Sequence, residues 1–239
     1  MTPHCLLHLL TLLVAAGVAL AAGGCSALQP KAERPPAFYA LDGAPAAGPG
    51  ATARPRPLPA TGLTLIVTPP QAAAGFDGPH MVYLRQAHQL EHFAHSHWVD
   101  TPARMLAPLI VEALAHGPAI RTAVPSATGG AGELRLDTEI VRLQHDFSQQ
   151  PSRVRFTLRA TLMDNTTRRV LALREFDETV AAPRDDPYGG VVASNQAVQA
   201  VLQGLAGFCN QAAAIWRPEG GTAEAQQAAP VPRGSGPRP

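Results

Sequence analysis

Aromatic side chains make up only 5% of the 239 residues, and charged ones only 15%. With 19 basic against 18 acidic residues there is no charge of one sign to speak of, and no run of Lys or Arg forms a track for nucleic acid or anionic headgroups. Cysteine is scarce as well: three residues, Cys5, Cys25 and Cys209, without a CxxC spacing, exclude a disulfide framework and a thiolate zinc ribbon. No HExxH, GxSxG or GK[ST] string occurs. A zincin, an α/β-hydrolase elbow and a phosphate loop are thereby set aside, and with them an enzyme. What remains abundant is aliphatic: 46% of residues are hydrophobic, beside 24 prolines and 21 glycines. That balance predicts one packed domain flanked by loose segments.

The apolar run from Leu6 to Ala22 is broken only by His8 and Thr11, and ends in Gly23, Gly24 and Cys25. A spanning helix needs about 20 apolar residues; this run is shorter, ends in glycines and lacks a basic stop-transfer flank, so it reads as a secretory signal over 1–24. The string Ala22-Gly23-Gly24-Cys25 resembles a bacterial lipobox. The resemblance implies diacylglycerol on the Cys25 sulfur, cleavage before Cys25, and further acyl chains such as palmitate that anchor stably where one chain would not. Ser26, where retention in the inner membrane would by resemblance call for aspartate, implies the periplasmic face of the outer membrane. An ordinary signal peptide cut near Gly24 is the alternative; it leaves Cys25 free to pair with Cys209 in an oxidising periplasm.

Residues 25–61 are rich in Pro, Ala and Gly and read as a tether. The insert Phe38–Asp42, FYALD, interrupts it and is expected to hook back on the domain at 62–217; residues 218–239 read as a disordered tail. Within the domain, Leu63 to Val67 predicts a strand ended by Pro69 and Pro70, and Met81–Leu84 and Gln89–Ala94 predict two more. Thr101 before Pro102 is an N-cap with proline at the first helical position, opening a helix that ends by Gly117, with Pro108 marking a kink or a later start. Leu134 to Ile140, Val154 to Leu162 and Val170 to Val180 alternate as long strands, the last with a slip of phase between Leu173 and Phe176 that predicts a bulge. Val191, Asn195, Val198, Leu202, Leu205, Cys209, Ala212 and Trp216 follow helical spacing. The fold class expected is α+β: a two-layer sandwich of a mixed, mostly antiparallel sheet on two main helices.

The stretch Tyr83–Leu106 carries His88, His92, His95 and His97. On a strand, His92 shares a face with Leu90 and Ala94 while His95 points the other way, so four ligands do not converge and no metal is expected. The carboxylates Asp177, Glu178, Asp185 and Asp186 read as solvated surface, and Gly189-Gly190 as a tight start to the last helix.

Met81 and Tyr83, then LEHFAHSHWVDTPARML, with YALD upstream and PYGGVVASNQAVQAVLQGLAGF near the end, resemble the ABC-type transport auxiliary lipoprotein family, whose members include the Pqi-type lipoproteins of Mce-type intermembrane lipid transporters. The resemblance implies that Tyr39, Asp42, Tyr83, Trp98, Asp100, Pro102, Gly189 and Gly190 are structural marks and that the histidines decorate a strand. It further implies no cofactor beyond the covalent lipid, and as partners an Mce-domain periplasmic protein with its ABC permease and ATPase, together with possible self-association. Two other functions remain open: a lipoprotein that activates or assembles an envelope enzyme or β-barrel, and a periplasmic lipid carrier.

Overall fold

The thirteen-residue strand Leu134–Asp146 (β7) is the axis on which the other strands are hung. It comes from a computed structural model that describes residues 35–42, 62–115 and 117–218. The expected signal, Cys25, most of the tether and nearly all of the expected tail lie outside the described residues.

From Ala37 onward the described residues form nine strands and two α-helices. In chain order the strands are Ala37–Tyr39 (β1), Leu63–Val67 (β2), Gln71–Ala72 (β3), His80–Leu84 (β4), Leu90–Trp98 (β5), Ile120–Pro125 (β6), β7, Arg153–Asp164 (β8) and Val170–Ala181 (β9); the helices are Pro102–Leu114 (α1) and Pro187–Ile215 (α2).

One edge of β7 pairs along its whole length with β8, and β8 with β9, both antiparallel. The other edge is shared by three strands in succession, all parallel: β2 on Leu134–Leu136, β3 on Glu139–Ile140 and β4 on His145–Asp146. The sheet therefore forks, with β6 beyond β2 on one arm and β5 then β1 beyond β4 on the other. The three antiparallel pairings are long apart from β4–β5, whereas the parallel ones run two to five residues.

The period-two pattern decides which face is dry. Val154, Phe156, Leu158, Ala160 and Leu162 of β8 are all at most 1% exposed, and with Leu134, Leu136 and Ile140 of β7 they form the core surface. Leu106, Ile110 and Leu114 of α1 and Ala193, Ala197, Val198, Val201, Leu205 and Cys209 of α2 close over it. Each large aliphatic side chain so buried stabilises the fold by about 1.5–3 kcal/mol. The opposite face is wet and laced with ion pairs: Arg159 with Glu139 and Glu175, Arg155 with Asp177. The result is the two-layer α+β class.

Four local readings change. The register of β9 against β8 is continuous from Ala172 to Ala181, and its irregularity lies between Val170 and Ala172 rather than between Leu173 and Phe176. The apparent slip arises because Leu173 sits on the wet face, 62% exposed, while Phe176 sits on the dry one. Helix α1 begins at Pro102 and runs unbroken past Pro108, whose ring removes only the N–H that would meet the Arg104 carbonyl. β5 is longer than Gln89–Ala94, reaching Trp98. β6, unassigned above, pairs with β2 and so gives β2 a neighbour on both edges; Thr64 to Val67 are all buried in consequence.

Candidate functional site

The residues singled out as marks gather at two joints. At the first, β1 lies parallel on the end of β5, so Tyr39 pairs with Trp98. Leu41, buried at 4%, donates its N–H to the Met105 sulfur of α1, and the Asn195 side chain of α2 clasps the segment from both sides. Its Oδ1 accepts the Asp42 N–H at 2.9 Å and its Nδ2–H donates to the Ala40 carbonyl at 3.2 Å. Trp98 is core, 4% exposed. Asp100 accepts the Thr101 N–H and pairs with Arg104, Thr101 caps α1 through the Arg104 N–H, and Pro102 occupies the first turn.

The second joint is the start of α2. Asp186 caps it through the Gly189 N–H at 2.7 Å. A Cβ on Gly189 would stand 2.1 Å from the Arg184 carbonyl, and one on Gly190 would stand 2.5 Å from His145 Nδ1. Only glycine allows these approaches. His145 itself, 3% exposed, holds Ser152 Oγ at 2.8 Å through Nε2, and Asp185 Oδ1 accepts the Ser152 N–H. Burial pushes the His145 imidazole down to about 4, and the hydrogen bonds from Ser152 hold Asp185 below the usual carboxylate range. Ser, His and Asp thus meet, but not as a catalytic triad. The carboxylate sits on the serine instead of on the far imidazole nitrogen, Nδ1 finds no partner among the described residues, and Ser152 is 1% exposed. Asp177, Glu178 and Asp185 are exposed, in keeping with a solvated surface, and Asp177 is held to about 2 by the Arg155 guanidinium, with Thr157 Oγ1 also donating to it.

Tyr83 lies beside this joint in a cluster of rings with Phe93, Phe147 and His145, its hydroxyl donating to Glu91 and accepting from Arg85. The histidines divide. Val82 pairs with His92 but His80 pairs with His97, so β5 carries three extra residues in between. An odd insertion exchanges the faces of a strand, which brings His97 to the side of His92. Together with His80 they form a ladder with ring centroids 5.0 and 5.6 Å apart; His88 and His95 take no part in it. Simple alternation would set His92 and His97 on opposite faces, and the bulge is why they share one; His80 joins them from the neighbouring strand. Among the described residues no group of three or more His, Cys, Asp or Glu is arranged to hold a metal. Cys209 is fully buried, its thiol pushed up to about 12 by that burial.

One feature was not foreseen. Between α1 and the ends of β2 and β6 lies an apolar groove of about 480 Å³, walled by Val67, Pro69, Pro108, Val111, Pro125 and Ala127. This is a volume typical of small-ligand sites. Thr68, Pro69 and Ser126 also border a polar cleft on the wet face, where Arg135 pairs with Asp137 and Arg159 with Glu139. Because each of these carboxylates is bound to a guanidinium, the cleft offers no poised acid or base. The groove's walls come from three separate chain segments, and the prolines at 69, 108 and 125 are the only local sign of it in the sequence.

Comparison with known proteins adds the family. The family described as ABC-type transport auxiliary lipoprotein component matches residues 39–206. No curated protein matches the sequence at a significant level. Among solved structures the fold is similar to protein XCC0632 from Xanthomonas campestris, at 22% identity and a TM-score of 0.58, covering 66% of this chain and 90% of that one. It is also similar to an uncharacterised protein at 14% identity and a TM-score of 0.56, covering 74% and 99%. Lipoprotein GNA1162 from Neisseria meningitidis is a more distant likeness, with 12% identity, a TM-score of 0.34 and coverage of 60% and 98%.

Proposed function

The chain belongs to the ABC-type transport auxiliary lipoprotein family, and on that premise we propose that it is a non-catalytic, lipid-anchored subunit of an ABC-powered lipid transport system. Acyl chains on Cys25 hold it at the periplasmic face of the outer membrane. Its domain docks the Mce-type protein that spans the periplasm, while a separate permease and ATPase supply the energy. The observation that carries this reading is the family match from the Tyr39 hook through most of α2, downstream of a cysteine preceded by Ala22, Gly23 and Gly24. The chain's role is positional: it offers caps, clasps and a groove, and among the described residues no carboxylate or histidine is paired with a nucleophile that a substrate could reach.

Crosslinking in native envelopes followed by purification of the chain tests it. Permease, ATPase and Mce-domain protein are expected in the crosslinked material; recovery of the chain without any transporter subunit contradicts the proposal.

The apolar groove favours a second reading, a periplasmic carrier that holds a lipid in its own cavity. Native mass spectrometry of protein extracted from membranes separates the two: a carrier retains a lipid that Val111→Trp, which fills the groove, expels.

A further inference from the structure

We propose that the pole of the domain formed by β1, the end of β5 and the start of α2 is its bilayer-facing surface, with Phe38 and the ring ladder resting at headgroup level. The inference rests on the lipidation of Cys25 in the reading above.

Three large apolar residues are exposed together there: Phe38 at 61%, Val99 at 57% and Tyr188 at 52%. They are close neighbours through Tyr39, which pairs with Trp98, accepts the Val99 N–H at 2.8 Å and places its ring 6.3 Å from that of Tyr188. Behind Phe38 the ladder continues across β5 and β4, with Phe38 to His97 at 5.9 Å, His97 to His80 at 5.6 Å and His80 to His92 at 5.0 Å. Phe38 and Tyr39 point to opposite faces of β1, so the exposed side chains frame this end of the layer from both sides, and exposed apolar side chains grouped in this way mark an interaction surface. Rings with one apolar and one polar side are the residues that settle at a membrane–water interface. Arg184, stacked on Tyr188, is paired with Asp186, so the pole presents amphipathic rings and not a basic patch.

The tether selects the occupant. Twelve peptide steps separate Cys25 from Ala37, at most about 40 Å when extended and about 20 Å on average for a flexible chain. Helix α2 begins at this pole and, with 29 residues, carries its far end about 43 Å away. The chain from Cys25 enters the domain at β1, beside Phe38, and its reach even when extended does not exceed the length of α2, which puts Phe38 on the anchored side in preference to Ile215, 80% exposed at the other end of α2.

Spin labels on the mature, full-length lipidated chain in phosphatidylethanolamine/phosphatidylglycerol vesicles test this. Single variants Phe38→Cys, Tyr188→Cys and Ile215→Cys are labelled; Cys209, sealed in the core, does not take the label. Power saturation is expected to show severalfold more collision with oxygen than with a water-soluble nickel chelate at positions 38 and 188, relative to position 215. Because both sites are exposed, unchanged thermal melts are expected, and position 188 serves if the edge strand tolerates no label. If the chain floats with the vesicles but all three positions read as water, the bilayer-facing surface is wrong and the anchoring stands. If the chain does not float, both fall.

Discussion

Gly190→Ala and Gly207→Ala place the same methyl group on the same helix and should shift stability in opposite directions. At Gly207 nothing lies within 4 Å of the new Cβ, so only the gain in helix propensity counts, about 0.8–1.0 kcal/mol. At Gly190 the Cβ would stand 2.5 Å from His145 Nδ1. The imidazole is buried and its Nε2 is tied to Ser152, so it has no free rotamer to retreat to. Overpacking of this sort costs about 1–3 kcal/mol, and displacing the ring from a buried Ser152 costs about 1–3 kcal/mol more. After the propensity gain, a net loss of about 1–5 kcal/mol remains. Urea titration of each variant beside the parent measures it. With a slope of about 1–3 kcal/mol per molar, Gly190→Ala should lower the midpoint by about 1 M or more while Gly207→Ala raises it slightly. A Gly190→Ala protein as stable as the parent would refute the claim that this close approach holds α2 on β7.

Other perturbations follow from the same contacts. Asn195→Ala removes both side-chain bonds to the Ala40–Asp42 segment and should cost about 1–2 kcal/mol, with protease cutting near Phe38 accelerated in the folded protein. Burial holds the folded His145 at about 4, against about 6.5 for an unfolded imidazole. The unfolded chain therefore takes up the proton first, and stability should fall as pH drops from about 6.5 to 4, by on the order of 1–2 kcal/mol once relaxation of the site is allowed for. His145→Gln should flatten that slope in pH-dependent melts and leave the separate decline below pH 4 that belongs to Asp177, held at about 2. Cys209, with its thiol pushed up to about 12, should resist a thiol reagent in the folded chain and react fully in denaturant; modification of the native protein would show that α2 opens.

Elements with their own periodicity or caps were legible in the chain. The alternation of Val154 to Leu162 with Arg153 to Thr161 named both faces of β8, and Thr101-Pro102 named the first residue of α1. β6 escaped because Ile120–Pro125 is short, follows Pro118 and carries Arg121 and Thr122 between its apolar residues; only its pairing with β2 makes it a strand. The clustering of His80, His92 and His97 depends on a bulge whose length no side-chain pattern encodes. The groove, the Asn195 clasp and the contact of Trp216 Nε1–H with Asp164 join residues tens of positions apart. These are products of topology, and a strand-by-strand reading does not reach them.

Acyl chains on Cys25 are what would fix the protein at the membrane, and intact mass spectrometry of the mature chain from its native membranes measures them directly. The predicted result is a chain beginning at Cys25 with diacylglycerol on sulfur and an acyl chain on the new amino group. A chain with an unmodified Cys25 thiol, released by osmotic shock, would contradict it.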